Sequence, residues 1–374
     1  MSTHTDISGS IPRSGVPAFG LIDDELSQVK ELINEQLTAS APASAGVNSS
    51  PQKRGAEDIN RLLEYVSGRS GKMIRPGLVL LSYRVVRDAS CEKKTQYDTD
   101  KTASVRRIRN TQYEAIRVAA IVEMIHNATL LHDDVIDEGQ ERRGLPTINS
   151  LWGNESAVLL GDLLLSRVFK MCAELDAQVA RVIAAATIRI CEGELRQIVQ
   201  RRNWRLSESE YIDIITEKSA AFFSSCCRLG GLLAQGTETQ IQSLAEFGLN
   251  AGIAFQITDD LLDIIGDESE TGKTLGSDAD KNKLTLAVIH LLRAVDKKRR
   301  SSLVARGTGH RARMTRNEKQ VLVEMLRRYG SLEYARNRAQ EFIAGAVRAL
   351  AGLKENDAKK ALIETAKFMA SRTI

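Results

Sequence analysis

Residues 133–137 read Asp-Asp-Val-Ile-Asp, and residues 259–263 repeat the same form as Asp-Asp-Leu-Leu-Asp. Each stretch follows a largely apolar segment, residues 125–131 in the first case and 253–257 in the second. If these segments are helical, the first and last aspartates of each cluster lie one turn apart on one face. Their like charges repel, so each cluster predicts an offsetting cation. Carboxylate oxygens suit Mg²⁺, which leaves its other ligand positions to water and substrate phosphate.

The composition of the 374-residue chain predicts a helical globular protein. Only 6 prolines and 5% aromatic residues favour helix over sheet, and 43% hydrophobic with 27% charged residues is ordinary for a globular chain. The net charge of +4 is small for this length, so nucleic-acid binding is not implied.

The cysteines and the N-terminus bear on the cellular compartment. None of the five cysteines forms a C-x-x-C pair, which fits a reduced cytosolic environment. The adjacent Cys226 and Cys227 are interpreted as two buried small residues, with a redox-active pair as the alternative. No secretory signal is visible and no apolar run reaches the roughly 18 residues of a membrane span. We therefore expect a cytoplasmic protein without a transmembrane segment.

The apolar pattern predicts one all-α domain over residues 21–374, because no linker divides it. Residues 1–20 are rich in Ser, Gly, Thr and Pro and predict a disordered tail, and the polar stretch 87–109 predicts a surface insertion. Antiparallel helices are expected to form a bundle around a central cavity. The predicted helices cover residues 21–37, 56–66, 77–86, 113–137, 156–172, 177–199, 208–235, 240–265, 284–295, 319–329, 332–353 and 358–370.

Basic residues near the first cluster indicate an anionic ligand. Arg142 and Arg143 follow the aspartates at short range, and arginine pairs in bidentate fashion with phosphate. Lys72 and Arg75 lie beside the glycine turn at Gly71 and predict a second anion site, with ordinary solvated side chains as the alternative. Together with two aspartate clusters, these cations favour a diphosphate ligand.

With both motifs in order, the chain resembles the trans-polyprenyl diphosphate synthases of the long-chain type. The resemblance runs from about residue 21 to the C-terminal helix, except for residues 87–109. It implies the isoprenoid synthase fold and a prenyltransferase that condenses isopentenyl diphosphate with an allylic diphosphate. It also implies Mg²⁺, three ions per active site, and a homodimer. Terpene cyclases carry only one such aspartate motif, so the second one favours chain elongation over cyclisation.

The resemblance implies a role for each matching residue. Metal ligands would be the acidic residues Asp133, Asp137, Asp259, Asp260 and Asp263, with Asp134 supporting them. The allylic diphosphate would contact Arg142, Lys218, Gln256, Lys273 and Lys283. Isopentenyl diphosphate would contact Lys72, Arg75, His126 and Arg143. The catalytic residues would be Lys218, Ser219 and Gln256. Asp162 would be a buried helix-to-helix partner, and His132 is interpreted as structural.

Two small residues before the first cluster bear on product length. They are Ala128 and Thr129. In the family that the chain resembles, residues at these positions line the pocket for the growing tail. Small side chains leave that pocket open and favour a long product of about C30 to C50, as for a quinone side chain. The alternatives are that Ala128 is merely a good helix former and that the product is the shorter geranylgeranyl or farnesyl diphosphate.

Some segments depart from the family pattern. Met73 replaces an arginine of the first basic motif, and Asn282 and Leu284 replace the residues usual beside Lys283. The basic residues 306–316 are interpreted as a solvated loop, with transient contact to an anionic membrane surface during product release as the alternative. A non-catalytic regulatory subunit of a heteromeric synthase is a further alternative, but such subunits tend to lose aspartates that this chain retains.

Overall fold

The computed structural model describes residues 15–38, 60–66, 71–94, 101–142, 144–201, 203–265, 283–307 and 315–371. The all-α prediction is confirmed. The helices are α1 (Asp23–Thr38), α2 (residues 60–66), α3 (Ile74–Lys94), α4 (Lys101–Ile136), α5 (Ile148–Cys172), α6 (Ala177–Val199), α7 (Glu208–Ile215), α8 (Ala221–Leu233), α9 (Glu238–Ile265), α10 (Leu286–Ala294), α11 (Lys297–Gly307), α12 (Arg316–Arg328), α13 (Ser331–Ala349) and α14 (Asp357–Ala370).

Three short elements complete the described structure. A 3₁₀ helix, Pro17–Ile22, precedes α1, and a π-helical turn, Thr216–Ala220, joins α7 to α8. Strands β1 (Glu141–Arg142) and β2 (Leu145–Pro146) form an antiparallel hairpin between α4 and α5. None of the helices within the described ranges is long and apolar enough to traverse a bilayer.

Helices α4 and α9 run through the core and carry the two aspartate clusters at their C-terminal ends. Helix α4 packs against α3 and α5, and α9 packs against α8 and α13. Almost every residue from Ala115 to Ile125 is buried, as is most of the stretch from Ala251 to Leu261. A helix that is apolar on all sides is surrounded by other elements. The core therefore holds both clusters on buried scaffolds.

The N-terminal boundary differs from the predicted tail of residues 1–20. Residues 15–20 are described, and Phe19 is fully buried. The ring of Phe19 lies where a side chain on Gly77 would be, because a Cβ built on Gly77 would approach the ring to 2.2 Å. The 3₁₀ helix, in which Ile22 is also fully buried, packs against both α3 and α14, and composition alone did not reveal these contacts. Residues 1–14 lie outside the described residues.

The predicted surface insertion at residues 87–109 is mostly helical. Helix α3 continues to Lys94 and α4 begins at Lys101, while residues 95–100 lie outside the described residues. The stretch contains good helix formers such as Ala, Arg, Lys and Glu, so local propensity extends both helices although the apolar stripe has ended.

Candidate active site

The first aspartate cluster occupies the last turn of α4, where Arg142 holds its middle member. Arg142 Nε donates to Asp134 Oδ1 at 2.8 Å and Nη2 donates to the same oxygen at 2.6 Å. Burial favours a lower pKa for Arg142, but the hydrogen bond to Asp134 and the charges of Asp134, Asp133 and Asp259 raise that pKa overall. The contact holds the Asp134 carboxylate in place, and the supporting role of Asp134 at the metal site stays a prediction.

The loop that carries Arg142 is fixed by polar contacts to the start of α5. Thr147 is fully buried, caps α5 by accepting from the Ser150 amide, and donates its hydroxyl to the Gly139 carbonyl at 2.8 Å. The Asn149 side chain donates to the same carbonyl at 3.0 Å. These bonds hold the hairpin beside the cluster, so the position of Arg142 does not depend on its own ion pair alone.

Asp137, the last aspartate of the first cluster, contacts two cations. Arg201 Nη2 donates to Asp137 Oδ1 at 2.9 Å, and Lys283 Nζ donates to Oδ2 at 3.3 Å. The buried Nε of Arg201 has no hydrogen-bond partner within the part of the chain that the structure describes. The sequence analysis named Lys283 as a contact of the allylic diphosphate. It did not identify Arg201, because a basic residue just after a helix is usually explained by its favourable interaction with the helix dipole.

The second cluster is tied to the predicted catalytic residues on α9 and the π turn. Tyr211 donates its hydroxyl to Asp260 Oδ2 at 2.6 Å, and Gln256 Nε2 donates to Asp260 Oδ1 at 2.9 Å. Ser219 in turn donates to Gln256 Oε1 at 2.8 Å. The structure therefore brings Ser219 and Gln256 into direct contact, and Tyr211 is a neighbour that the sequence analysis did not identify.

Lys218, the neighbour of Ser219, faces the other cluster. Its Nζ donates to Gln197 Oε1 at 2.8 Å and forms an ion pair with Glu194, both on α6. Burial is the main cause that raises the pKa of Asp133; Glu194 and Asp137 raise it further, while Lys218 opposes them. The charge of Lys218 thus acts on Asp133 of the first cluster, and the charge of Asp259 in the second cluster acts on Arg142. Two consecutive residues of the π turn therefore lie near different clusters, Lys218 near the first and Ser219, through Gln256, near the second.

The residues predicted for isopentenyl diphosphate lie at the start of α3 and on α4. Lys72 Nζ lies 5.1 Å from the ring centroid of Phe368, and Arg75 Cζ lies 4.6 Å from that of Phe223. Such cation–π contacts fix the direction of a basic side chain. His126 is half-buried on α4. The shared diphosphate pocket of these residues stays a prediction, and Arg143 and Lys273 lie outside the described residues.

Met73 stands where the family pattern has an arginine. Its uncharged side chain is buried. The residue has a left-handed backbone with φ of 53°. A non-glycine residue in that region is uncommon and carries some strain. The turn before α3 is therefore held by the packing of Met73 and not by an additional charge.

Four further residues named in the sequence analysis lie along α4 and α5. Ala128 is fully buried, and the half-buried Thr129 donates its hydroxyl to the His126 carbonyl at 2.8 Å. His132 Nε2 lies 3.5 Å from Asp162 Oδ1, so Asp162 does connect two helices. The prediction that Asp162 is buried was wrong, since its side chain is 59% exposed.

The acidic residues fit a divalent cation shared with a bound diphosphate. Asp133 and Asp137 lie at the end of α4, and Asp259 and Asp263 occupy the same face of α9. No group of three His, Cys, Asp or Glu side chains in the described ranges is arranged to hold a metal by itself. Carboxylates suit Mg²⁺, which binds one or two of them and completes its coordination with water and phosphate oxygens. The donor set therefore matches metal binding in which the substrate supplies the remaining ligands.

Comparison with known proteins places this geometry in a family. The polyprenyl synthetase family matches residues 56–325. Octaprenyl diphosphate synthase of Escherichia coli is 33% identical over 358 residues, which cover 91% of this chain and 98% of that protein. A short chain isoprenyl diphosphate synthase of Methanothermobacter thermautotrophicus is 32% identical over 324 residues, which cover 84% of this chain and 91% of that protein.

A solved structure shows the same fold. Polyprenyl synthase from Caulobacter crescentus, crystallised with calcium and isoprenyl diphosphate, matches with a TM-score of 0.78 and 28% identity, over 98% of this chain and 99% of that one. The match over most of the sequence agrees with the paired aspartate clusters and the basic residues around them in indicating one family. The chain therefore belongs to the polyprenyl synthetase family and is a trans-prenyltransferase.

Proposed function

We propose that this prenyltransferase condenses isopentenyl diphosphate with an allylic diphosphate, in a Mg²⁺-dependent reaction, to make a long-chain all-trans polyprenyl diphosphate. The observation that carries the proposal is the π turn, in which Lys218 binds Gln197 and Glu194 within electrostatic range of Asp133, while Ser219 donates to Gln256 beside the second cluster. A diphosphate between the clusters would lie next to the residues that must act on the attached allylic carbon.

The first task of the site is to hold a leaving diphosphate. Arg142, Lys283 and Lys218 provide fixed positive charge near the clusters, and fixed donors cost no reorganisation when charge develops. Bound Mg²⁺, three ions in this proposal, would neutralise charge on the diphosphate oxygens. Asp133, Asp137, Asp259, Asp260 and Asp263 would hold these ions, with Asp134 supporting them.

Cleavage of the carbon–oxygen bond then leaves an allylic cation and free diphosphate. The oxygens of Ser219 and Gln256 are the negative ends of dipoles and would stabilise that cation. The double bond of isopentenyl diphosphate attacks it and forms the new carbon–carbon bond. The resulting cation loses a proton to the released diphosphate, and exclusion of water protects both cations.

The length of the product depends on the space before the first cluster. Ala128 and Thr129 present small side chains there, and Ala128 is fully buried. The similar proteins include an octaprenyl synthase and a short-chain synthase, so similarity alone does not fix the length. The small residues favour the long product, of about C30 to C50; a geranylgeranyl or farnesyl product is the alternative.

A second copy of this chain is the proposed partner. The outer faces of α5 and α6 expose large apolar side chains, including Leu159 at 68%, Phe169 at 67% and Val199 at 79% exposure. We take these exposed large apolar side chains as the surface that contacts the second copy. Light scattering should give a dimer for the wild type and a monomer for Leu159→Glu; a wild-type monomer would contradict the homodimer.

The function is tested by incubating purified protein with Mg²⁺, labelled isopentenyl diphosphate and allylic primers of several lengths. Reversed-phase chromatography of the dephosphorylated products should then show long polyprenols. A terpene cyclase would release hydrocarbon instead, and a non-catalytic subunit of a heteromeric synthase would make no product alone. Either result would refute the proposal, and products no longer than geranylgeranyl would refute the long-chain part.

A further inference from the structure

Helix α7 connects the second aspartate cluster to the C-terminal helices. Tyr211 is 3% exposed and donates its hydroxyl to Asp260 at 2.6 Å. One turn earlier, Glu208 accepts from the Tyr334 hydroxyl at 2.6 Å and from Arg338 Nε at 2.9 Å, both on α13. Residues three apart lie on the same side of a helix. The clamp at Glu208 therefore limits how far Tyr211 can move.

Asp260 accepts hydrogen bonds through both carboxylate oxygens, from Tyr211 on one and from the Gln256 amide on the other. These two donors are neutral, whereas the equivalent Asp134 of the first cluster is held by the charged Arg142. The Asp260 carboxylate is thus oriented by the hydroxyl of Tyr211, whose side chain is buried, and the carboxylate in turn accepts from the Gln256 amide.

The orientation of Asp260 determines which end of the Gln256 amide faces the reacting centre. A carboxylate only accepts hydrogen bonds, so it requires the NH₂ end of the amide on its side. The Gln256 oxygen must then face Ser219, as the 2.8 Å bond between them shows. In the reversed orientation the NH₂ group would point toward the reaction site, and its positive end would oppose a developing cation.

We propose that Tyr211 is a positioning residue for the prenyl transfer. Its hydroxyl fixes the Asp260 carboxylate, the carboxylate fixes the Gln256 amide, and the amide oxygen is thereby presented beside Ser219. This inference rests on the proposed function, but it concerns the orientation of one amide and not the identity of the substrates or the product length.

The test compares the full-length wild type with Tyr211→Phe, which removes one hydroxyl and keeps the ring. We expect kcat to fall about tenfold, the effect of one well-placed hydrogen bond to a charged group. We expect KM for isopentenyl diphosphate to stay within about twofold, since substrate contacts are unchanged. A kcat equal to that of the wild type would overturn the proposal. An inactive wild type would instead refute the proposed function.

A double-mutant cycle separates positioning from a general structural effect. If Tyr211 acts through Gln256, then Tyr211→Phe should change kcat little once Gln256→Leu is present. Multiplicative losses in the double variant would overturn the proposal. Tyr83→Phe is the matched control, because Tyr83 is also buried and its hydroxyl lies 2.9 Å from that of Thr111 on another pair of helices. It should lower the melting temperature comparably and leave kcat unchanged.

Discussion

Gly193 on α6 lies against the backbone of Lys218, so closely that a Cβ built on Gly193 would be 2.3 Å from the Lys218 nitrogen. Only hydrogen fits between the helix and the π turn at this point. Since the obstructing atoms are backbone, they cannot rotate away as the end of a side chain could. The close packing of α6 therefore sets the position of Lys218 and Ser219, the two proposed catalytic residues in that turn.

Gly193→Ala should displace the π turn. We expect the free energy of unfolding to fall by about 1–3 kcal/mol, the usual result of inserting a methyl group into close packing. We also expect turnover to fall by more than the loss of folded protein explains, because Lys218 and Ser219 move. Gly352→Ala is the control, as nothing lies within 4 Å of its Cβ position. Equal effects of the two variants on stability and rate would contradict this prediction.

Asp133→Ala should separate function from stability. The pKa of Asp133 is raised mainly by burial, so the ionised side chain contributes little to folding at neutral pH. We expect the melting temperature to be preserved or slightly higher, while turnover falls at least about a hundredfold from loss of a metal ligand. Steady-state kinetics and thermal unfolding measure the two effects. A rate close to wild type would refute the metal role.

Arg201→Gln should weaken binding of the allylic diphosphate. Arg201 lies 2.9 Å from Asp137 and retains a buried Nε without a hydrogen-bond partner in the described structure, which suits a phosphate oxygen. We expect KM for the allylic substrate to rise about tenfold, as for one charge-assisted hydrogen bond. Arg336→Gln, which removes an exposed pair with Glu333, is the control. If both variants keep the wild-type KM, Arg201 does not bind the allylic diphosphate and its contact with Asp137 is only an ion pair within the protein.

Ala128→Phe should shorten the product. The fully buried methyl group would be replaced by an aromatic ring one to two turns before the first cluster, where the growing tail is proposed to extend. Chromatography of the dephosphorylated products measures the change in length. Ala128→Ser should keep the wild-type distribution, since its side chain remains small. An unchanged distribution in a folded Phe variant would count against the proposed tunnel.

The two adjacent cysteines should resist alkylation in the native protein. Cys226 and Cys227 are fully buried, as predicted, and burial raises the pKa of Cys227 to about 12 and that of Cys226 well above 9.0. Their thiols stay protonated at pH 8, and the thiolate is the reactive form. Mass spectrometry after iodoacetamide treatment should show modification of the exposed Cys191 before that of either Cys226 or Cys227. Rapid modification of Cys227 before unfolding would contradict the prediction.

The sequence predicted most of the helices, and it suggested the chemistry proposed for the clusters, because both depend on local patterns. Apolar periodicity located α4 and α9, and the spacing of charged residues identified Asp133 and Asp259. Tyr211 and Arg201 were missed because their roles come from partners 49 and 64 residues away along the chain. A single tyrosine on an apolar helical face reads equally well as an ordinary core residue.

The same limit explains the missed π turn. Residues 208–235 were predicted as one helix, since both halves show helical periodicity, and the structure interrupts them at Thr216–Ala220. The widened turn depends on the approach of α6 and the bonds of Ser219 and Lys218. These are tertiary contacts, which a periodicity analysis of one segment does not contain.

The π turn fixes the number of residues that must lie between Tyr211, which binds Asp260, and Phe223, which packs against Phe255. Such a turn holds one residue more than the equivalent α-helical turn, and each residue of an α-helix advances the direction of its side chain by about 100°. Deleting one residue there would restore a continuous α-helix and rotate one half against the other. The face that meets Asp260 and the face that meets Phe255 could then not both be satisfied. Changes of residue type are therefore easier to accommodate in this segment than changes of its length.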